Sequence, residues 1–209
     1  MQKAFYEKLD NPMYDNDKKV NKYKHGQLLV KELDGQDKIA LEFGCGLGRN
    51  IALFGKRFKR IDGADISTKY ISKCRQKFPN SNFYVTNGIR LNNIPAEAYD
   101  LVFSITVLQH IPIYDIRFNL LKEIYRVLKN GGWFSAQMGF GERGSSVDYY
   151  ENYFDAPNTN SACDVRVEKV DYIKKDLENI GFKNFEYKVV SCIDTGDSHQ
   201  YWIFFRGQR

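Results

Sequence analysis

The stretch KIALEFGCGLGRNIALF, Lys38 to Phe54, followed by IDGADIS, Ile61 to Ser67, decides how this chain folds. Ile39 to Phe43 is short, apolar and free of polar alternation, the pattern of a strand buried on both faces. Gly44, Gly46 and Gly48 follow without a break. Glycine at such a turn permits positive φ and lets main chain approach a ligand closely. Asn50 to Phe58 predicts a helix, whose first turn offers unpaired N–H groups. Ile61 to Ile66 predicts a second strand, with Asp65 near its end. An acid about twenty residues past a glycine loop, at the end of the next strand, can accept both hydroxyls of a ribose. Strand, loop, helix, strand and acid in that order describe a nucleoside-binding crevice. The bland alternative, a structural turn with a solvated Asp, would need the glycines alone.

Working outward, strands and helices keep alternating. Ser67 is placed to cap a helix over Thr68 to Lys77, stopped by Pro79. Asn82 to Thr86 predicts a third strand and Tyr99 to Thr106 a fourth. Ile116 to Leu128 reads as an amphipathic helix, closed by Asn130-Gly131-Gly132 before a fifth strand over Trp133 to Met138. Upstream, Val20, Tyr23, Leu28, Leu29 and Leu33 suit one face of a helix from Lys18 to Leu33. Downstream, Val170 to Ile180 predicts a helix ended by Gly181. Phe185 to Val190 and Tyr201 to Phe205 alternate like a closing antiparallel pair. Such alternation predicts an α/β fold with a parallel sheet covered on both faces. Gly139 to Asp164 has no period, and a segment of that length in a compact domain suits a lid or binding loop.

The 209 residues suffice for one domain with a sizeable core, read as 1–209, with an N-terminal cap over 1–35 and a substrate lid over 139–165. The scattered Cys45, Cys74, Cys163 and Cys192 show no paired spacing, which argues against a disulfide framework or a metal site. That usage, with no apolar run long enough for a bilayer and no secretory pattern, leads to the expectation of a cytoplasmic chain. The net charge of +5 is mild and its lysines are spread out, so charge does not argue for nucleic acid.

Arg49 occupies the place of the third glycine in a dinucleotide fingerprint, which a pyrophosphate needs for close helix approach. Glu42, just before the loop, would repel a pyrophosphate and suits an ammonium. On these residues the chain resembles the class I S-adenosylmethionine-dependent methyltransferases, in the small-molecule branch often called type 11 or type 12. LEFGCGLGRN is similar to the family's cofactor loop and GADIS to its ribose-binding acid. YDLVFSITVLQHI is similar to its fourth strand with the following loop. LKEIYRVLKNGGWF is similar to its next helix, glycine turn and fifth strand. The resemblance covers Ile39 to about Gln137, and the remainder in outline.

It implies a Rossmann-like, doubly wound sheet of seven strands in the order 3-2-1-4-5-7-6, the seventh antiparallel. It implies S-adenosyl-L-methionine as cofactor, held by Glu42, Gly44, Cys45, Gly46, Gly48, Asn50, Asp65, Ile66, Asn87, Gly88, Ile89 and Ser104. Asn87 stands where the family commonly has an acid near the adenine amino group, and its carbonyl can accept from that group.

Methyl transfer from a sulfonium is an in-line displacement, so alignment and exclusion of water are the enzyme's main contributions. An alcohol, phenol or protonated amine also needs a base. His110, after strand four, is the candidate base; the competing role is to shape the loop. The segment SITV replaces the Asp/Asn-Pro-Pro-aromatic motif of enzymes acting on exocyclic base nitrogens, and no carboxylate cluster there suggests a metal. Candidate substrate contacts are Gln109, Arg143, Tyr149 and Tyr150, with Tyr6 and Tyr14 covering from the N-terminal side. The expected activity is methyl transfer to an oxygen or nitrogen of a small polar metabolite such as a sugar or amine. A non-catalytic cofactor-binding or regulatory module is the alternative, with an NAD-linked oxidoreductase or a nucleic-acid methyltransferase behind it.

Overall fold

The structure is a computed structural model and describes residues 30, 32–141, 147–153, 165–192 and 199–209. The expected helix over Lys18 to Leu33 lies almost wholly outside the described residues. The strands are β1 (Gly35–Phe43), β2 (Phe58–Asp65), β3 (Phe83–Val85), β4 (Tyr99–Ser104), β5 (Leu128–Phe140), β6 (Val147–Asp148), β7 (Val165–Val167), β8 (Lys183–Ser191) and β9 (Tyr201–Gln208). The helices are α1 (Arg49–Phe54), α2 (Thr68–Lys77), α3 (Tyr114–Val127) and α4 (Val170–Ile180). Two 3-10 turns, Gly55–Arg57 and Leu108–His110, complete the described elements.

Two helices have the bounds expected of them, because both carry local stop signals. The Ser67 side chain accepts from Tyr70 N–H at the start of α2, and Phe78, which precedes Pro79, ends it. Gly181, at φ 117°, closes α4, with Gly181 and Phe182 N–H bonded to Leu177 C=O. The helix expected over Asn50 to Phe58 is shorter: α1 gives way to a 3-10 turn, and Phe58 already belongs to β2. The glycine turn expected between α3 and the next strand is also different. β5 starts at Leu128, directly after α3, and Asn130-Gly131-Gly132 forms an irregularity inside it. Opposite β4, pairing jumps from Tyr99↔Leu128 to Leu101↔Trp133, and Gly131 takes φ 77° to absorb the excess residues.

The sheet runs β3-β2-β1-β4-β5 in parallel, as the alternating pattern predicts. Beyond β5 the expected seven strands become nine. β9 pairs antiparallel with β5 from Trp133↔Gln208 to Phe140↔Tyr201, and β8 pairs antiparallel with β9. The antiparallel member is therefore the ninth strand in chain order, whereas the seventh, β7, lies parallel to β5. β5 outlasts β4, whose pairing ends at Ser104↔Ala136. At Gly139 and Phe140, where β9 occupies one edge of β5, β7 takes the edge that β4 has vacated. β6 then adds parallel to β7. The order β3-β2-β1-β4-β5-β7-β6 follows this short path, and the long strands β9 and β8 extend the other edge.

Two apolar layers sandwich the sheet. Leu41, Phe43, Val102, Phe134, Val165 and Val167 pack with α3 and α4 residues such as Leu120, Ile124, Ile173 and Leu177. Ala40, Ile61, Leu101, Phe103, Trp202 and Phe204 belong to the opposite layer with Ile51, Phe54, Ile71 and Cys74 from α1 and α2. Side chains alternate along a strand. Glu42, between Leu41 and Phe43, therefore faces the α1 side, and so does Arg166, between Val165 and Val167.

Candidate active site

β1, β2 and β4 bring their C-terminal ends to one edge of the sheet, where the strand order reverses between β1 and β4. Ligands of doubly wound sheets bind in the crevice outside such a switch point. The glycine loop is fastened to the end of β2 there: Gly44 N–H and Cys45 N–H both donate to Ala64 C=O, at 2.7 and 3.1 Å.

Its glycines serve different needs. Gly44 has φ 76°, and a methyl group on it would lie 2.3 Å from Val107 Cγ2. Gly48 begins α1 against the Phe78 ring, which a methyl would meet at 2.4 Å. Gly46 is different: at φ 52°, a methyl there would meet nothing within 4 Å. Two glycines thus make room for the protein itself, and the third leaves the loop's outer side open.

Asp65 is oriented by main chain. Gly46 N–H donates to its Oδ2 and Ser67 N–H to its Oδ1, both at 2.9 Å. Both oxygens are thus fixed at the mouth of the glycine loop. Glu42 is 1% exposed. Asn50 Nδ2 donates to its Oε1 at 2.6 Å, while Oε2 has no hydrogen-bond partner. Burial pushes the Glu42 carboxyl up to about 8, against the opposing pull of the Asn50 hydrogen bond and the Arg49 charge.

Ile66 is half-buried, and its Cδ1 would lie 2.8 Å from a methyl on Gly88. These two residues and the exposed Ile89 gather at the ends of β2 and β3. Asn87 has another task. Its Oδ1 accepts from Ile89 N–H and Arg90 N–H, both at 2.9 Å, which uses both lone pairs to shape the turn. Ser104, expected against the cofactor, donates its hydroxyl to Phe43 C=O at 3.0 Å and braces β4 to β1. The Cys45 side chain is buried and turns toward Cys74 of α2.

The loop after β4 forms the other wall. Thr106 holds φ 58°, a left-handed conformation that costs a β-branched residue about 1–2 kcal/mol. This twist precedes Val107, whose side chain presses on Gly44. Sequence reading missed both residues, since nothing local marks a tertiary contact between loops. In the following 3-10 turn, Gln109 is 3% exposed and its Oε1 has no partner. Half-buried His110 ends the turn, its N–H bonded to Val107 C=O.

β6 and β7 lie beyond the end of β4, and β7 packs on the Leu108–His110 turn. Arg166 is buried there, with Nη2 2.9 Å from Asp148 Oδ1 and Nε 3.9 Å from Glu168 Oε1. No periodic signal marked this arginine. Tyr149 is buried on the opposite side, where its hydroxyl donates to Asp176 Oδ2 at 2.6 Å and Tyr114 donates to Oδ1 at 2.9 Å. Arg117 donates to the carbonyls of Ile111 and Tyr149. Tyr149 thus anchors the segment to α3 and α4. Tyr150 stays exposed, edge-on to Tyr114 and tilted against Tyr172. Tyr6, Tyr14 and Arg143 lie outside the described residues.

A switch-point crevice with an open glycine loop and a main-chain-oriented acid defines a Rossmann-like nucleoside-binding domain. Residues 41–136 match the family model described as a methyltransferase domain. Over 103 residues the chain is 29% identical to trans-aconitate 2-methyltransferase of Methylobacterium radiotolerans, matching 48% of this chain and 38% of that protein. The chain thus spans well under half the length of this curated relative. Its fold is similar to that of a putative methyltransferase in complex with the Trm112 methyltransferase activator of Haloferax volcanii. That likeness has a TM-score of 0.69 at 16% identity, over 99% of this chain and 96% of that one. It is also similar to phosphoethanolamine N-methyltransferase 2 of Haemonchus contortus in complex with S-adenosyl-L-methionine. Here the TM-score is 0.65 at 16% identity, over 90% of this chain and 52% of that one. The matched segment, from β1 into β5, is thus similar to a class I S-adenosylmethionine-dependent methyltransferase domain.

Proposed function

We propose that this chain transfers a methyl group from S-adenosyl-L-methionine to an oxygen or nitrogen of a small polar metabolite. The observation that carries the reading is Glu42: a buried carboxyl beside the glycine loop, with one oxygen bonded by Asn50 and the other without a partner. A carboxylate there suits an ammonium and opposes a pyrophosphate, which favours this cofactor over a dinucleotide. When bound, the cofactor supplies a methyl group on a sulfonium.

The residues fit its three parts. Asp65 would receive the ribose hydroxyls, with Gly46 providing clearance for close approach. Glu42, with Asn50, would face the amino-acid end. Ile66, Gly88 and Ile89 would border the adenine, while Asn87 sets their turn. Cys45, Gly44, Gly48 and Ser104 hold these groups in place from behind.

Gln109 and His110 border the acceptor side. Gln109 offers a buried amide to orient the substrate. His110 is the base we assign where the acceptor must lose a proton. The segment carrying Tyr150 and Arg166 closes that side against water, with the N-terminal 1–35 as the opposing cover and the whole chain as one cytoplasmic domain. The match to trans-aconitate 2-methyltransferase supports a small-molecule substrate.

The test is calorimetry with S-adenosylhomocysteine and, separately, with NAD, followed by turnover on a metabolite panel read as S-adenosylhomocysteine release. Binding of the first compound alone, with turnover on a panel member, is expected. Binding of NAD alone would overturn the cofactor assignment. Binding of S-adenosylhomocysteine by a chain inert towards every acceptor class would favour the regulatory module.

A further inference from the structure

Two cysteines from different elements meet beside the cofactor loop. Cys74, from α2, donates its thiol to Gly46 C=O at 3.3 Å, and the Cys45 thiol reaches the same oxygen at 3.8 Å. The two side chains thus meet at one carbonyl, close enough for each to influence the other's ionisation. Both are reduced and buried. Cys192 shows what an ordinary thiol does here: it is buried and bonds Val190 C=O, two residues away.

We propose that Cys45 and Cys74 form a reversible disulfide under peroxide, and that this bond shuts the loop to its cofactor. The regulatory half rests on reading Gly44–Gly48 as the cofactor loop.

The geometry explains why so small a change would matter. A disulfide holds its sulfurs about 2.05 Å apart and its Cβ atoms near 3.8 Å. Loop and helix must therefore draw together. α2 is fixed by its Ser67 cap and by fully buried Ile71, so the loop is the part that yields. The loop has little slack, since Cys45 Sγ sits only 2.7 Å from where a Cβ on Gly63 would lie. Gly46 follows Cys45 directly. Its N–H orients Asp65, and its outer side is the open face of the loop. Drawing Cys45 toward α2 displaces both.

The pair is chemically asymmetric. The neighbouring Cys45 side chain draws the Cys74 thiol below its ordinary range, and the same contact with burial pushes Cys45 above it. Cys74 thiolate attacks the peroxide O–O bond, giving a sulfenic acid and releasing hydroxide, which takes up a proton as water. The Cys45 sulfur, losing its proton, then attacks the Cys74 sulfur. The S–O bond breaks, a second water leaves, and the S–S bond forms. Two thiols lose two electrons, and one peroxide gains them. The outer side of Gly46 is open while both thiols are buried, so bound cofactor over that side should slow peroxide's access to the pair.

Three measurements test this. Calorimetry with S-adenosylhomocysteine on the reduced protein checks the loop reading itself. The protein is then exposed to hydrogen peroxide, denatured, alkylated, digested and mapped by mass spectrometry, and the calorimetry is repeated. The expected map shows Cys45 and Cys74 peptides joined and two hydrogens lighter than their sum, with slower joining when S-adenosylhomocysteine is present. Affinity should drop at least about tenfold, which is ~1.4 kcal/mol, and return with dithiothreitol. Cys74→Ser should bind like the reduced protein and keep that affinity after peroxide. Full alkylation of both cysteines after peroxide, or bonds formed only through Cys163 or Cys192, would overturn the disulfide. A joined pair with unchanged affinity would overturn the regulation. Failure of the reduced protein to bind would remove the loop reading, while the peptide map would still decide the disulfide.

Discussion

At the scale of single residues, Glu42 is a carboxyl whose chemistry departs far from its ordinary behaviour. Its carboxyl sits at about 8 because burial penalises the charge. An ammonium beside it would reverse that penalty, so binding should expel its proton. We expect calorimetry near pH 7 in buffers of different ionisation enthalpy to show close to one proton released per S-adenosylhomocysteine bound. Glu42→Gln should abolish that release and weaken binding by about 1–3 kcal/mol, the scale of a lost charge-assisted hydrogen bond. The glycines separate in the same assay. Gly46→Ala should cost only about 1–2 kcal/mol of stability, the penalty for a left-handed alanine, yet lose most cofactor affinity. Gly44→Ala should lose the fold's stability as well, because its methyl meets Val107 at 2.3 Å. His110→Ala, if the histidine is the base, should lower kcat by about 10²–10⁴ with S-adenosylhomocysteine affinity retained. Near-normal turnover would end that assignment.

At the scale of elements, the segment beyond β5 is held by a side-chain lock rather than by length of ladder. Asp176 of α4 accepts from Tyr114 of α3 and from Tyr149, which follows β6. Asp176→Ala would leave the buried Tyr149 hydroxyl without its acceptor, at about 1–3 kcal/mol, and would release the half-buried Tyr114 hydroxyl as well. The expected result is a lower Tm and a raised KM for the acceptor, with S-adenosylhomocysteine affinity unchanged. Elements with local punctuation were legible in the sequence: α2 through Ser67 and Pro79, α4 through Gly181. β6 and β7 were not, because two- and three-residue strands carry no period of their own. Their place is set by the edge of β5 that β4 leaves vacant. The glycines after α3 misled for a related reason. Gly131 has the positive φ of a helix stop, and tertiary pairing with β4 turns that bend into a strand irregularity.

At the scale of the molecule, stability should respond to pH through the buried acids. The Glu42 carboxyl is raised from 4.5 to about 8, and burial raises Asp176 and Glu168 as well. Between the ordinary and raised values the folded chain binds more protons than the unfolded one. Stability is then fullest at the acidic end of that window and declines as pH rises, by up to about 1.4 kcal/mol per pH unit for each proton. Thermal melts from about pH 5 to 8 should show this decline, and Glu42→Gln should flatten it. A parallel profile in the variant would mean that another group dominates. Among the described residues no helix is long and apolar enough to cross a membrane. The loop and acid at one side of the crevice could be read from LEFGCGLGRN and GADIS because their parts lie close in sequence. The other side could not: Arg166, Asp148 and Gln109 come together only when β7 meets β5.

That meeting has a mechanical consequence. The roof of the crevice is joined to the sheet by two rungs, Gly139↔Arg166 and Phe140↔Val167. A ladder admits only whole-residue steps, and one step turns every side chain over. Sliding β7 by a single residue would swing Arg166 into the apolar layer of α4 and expose Val165 or Val167 to the crevice. Gradual adjustment along the strand is therefore closed to this roof. It is keyed to one register, held there by the two rungs, by Gly141 N–H on Val167 C=O and by the Asp176 bond to Tyr149.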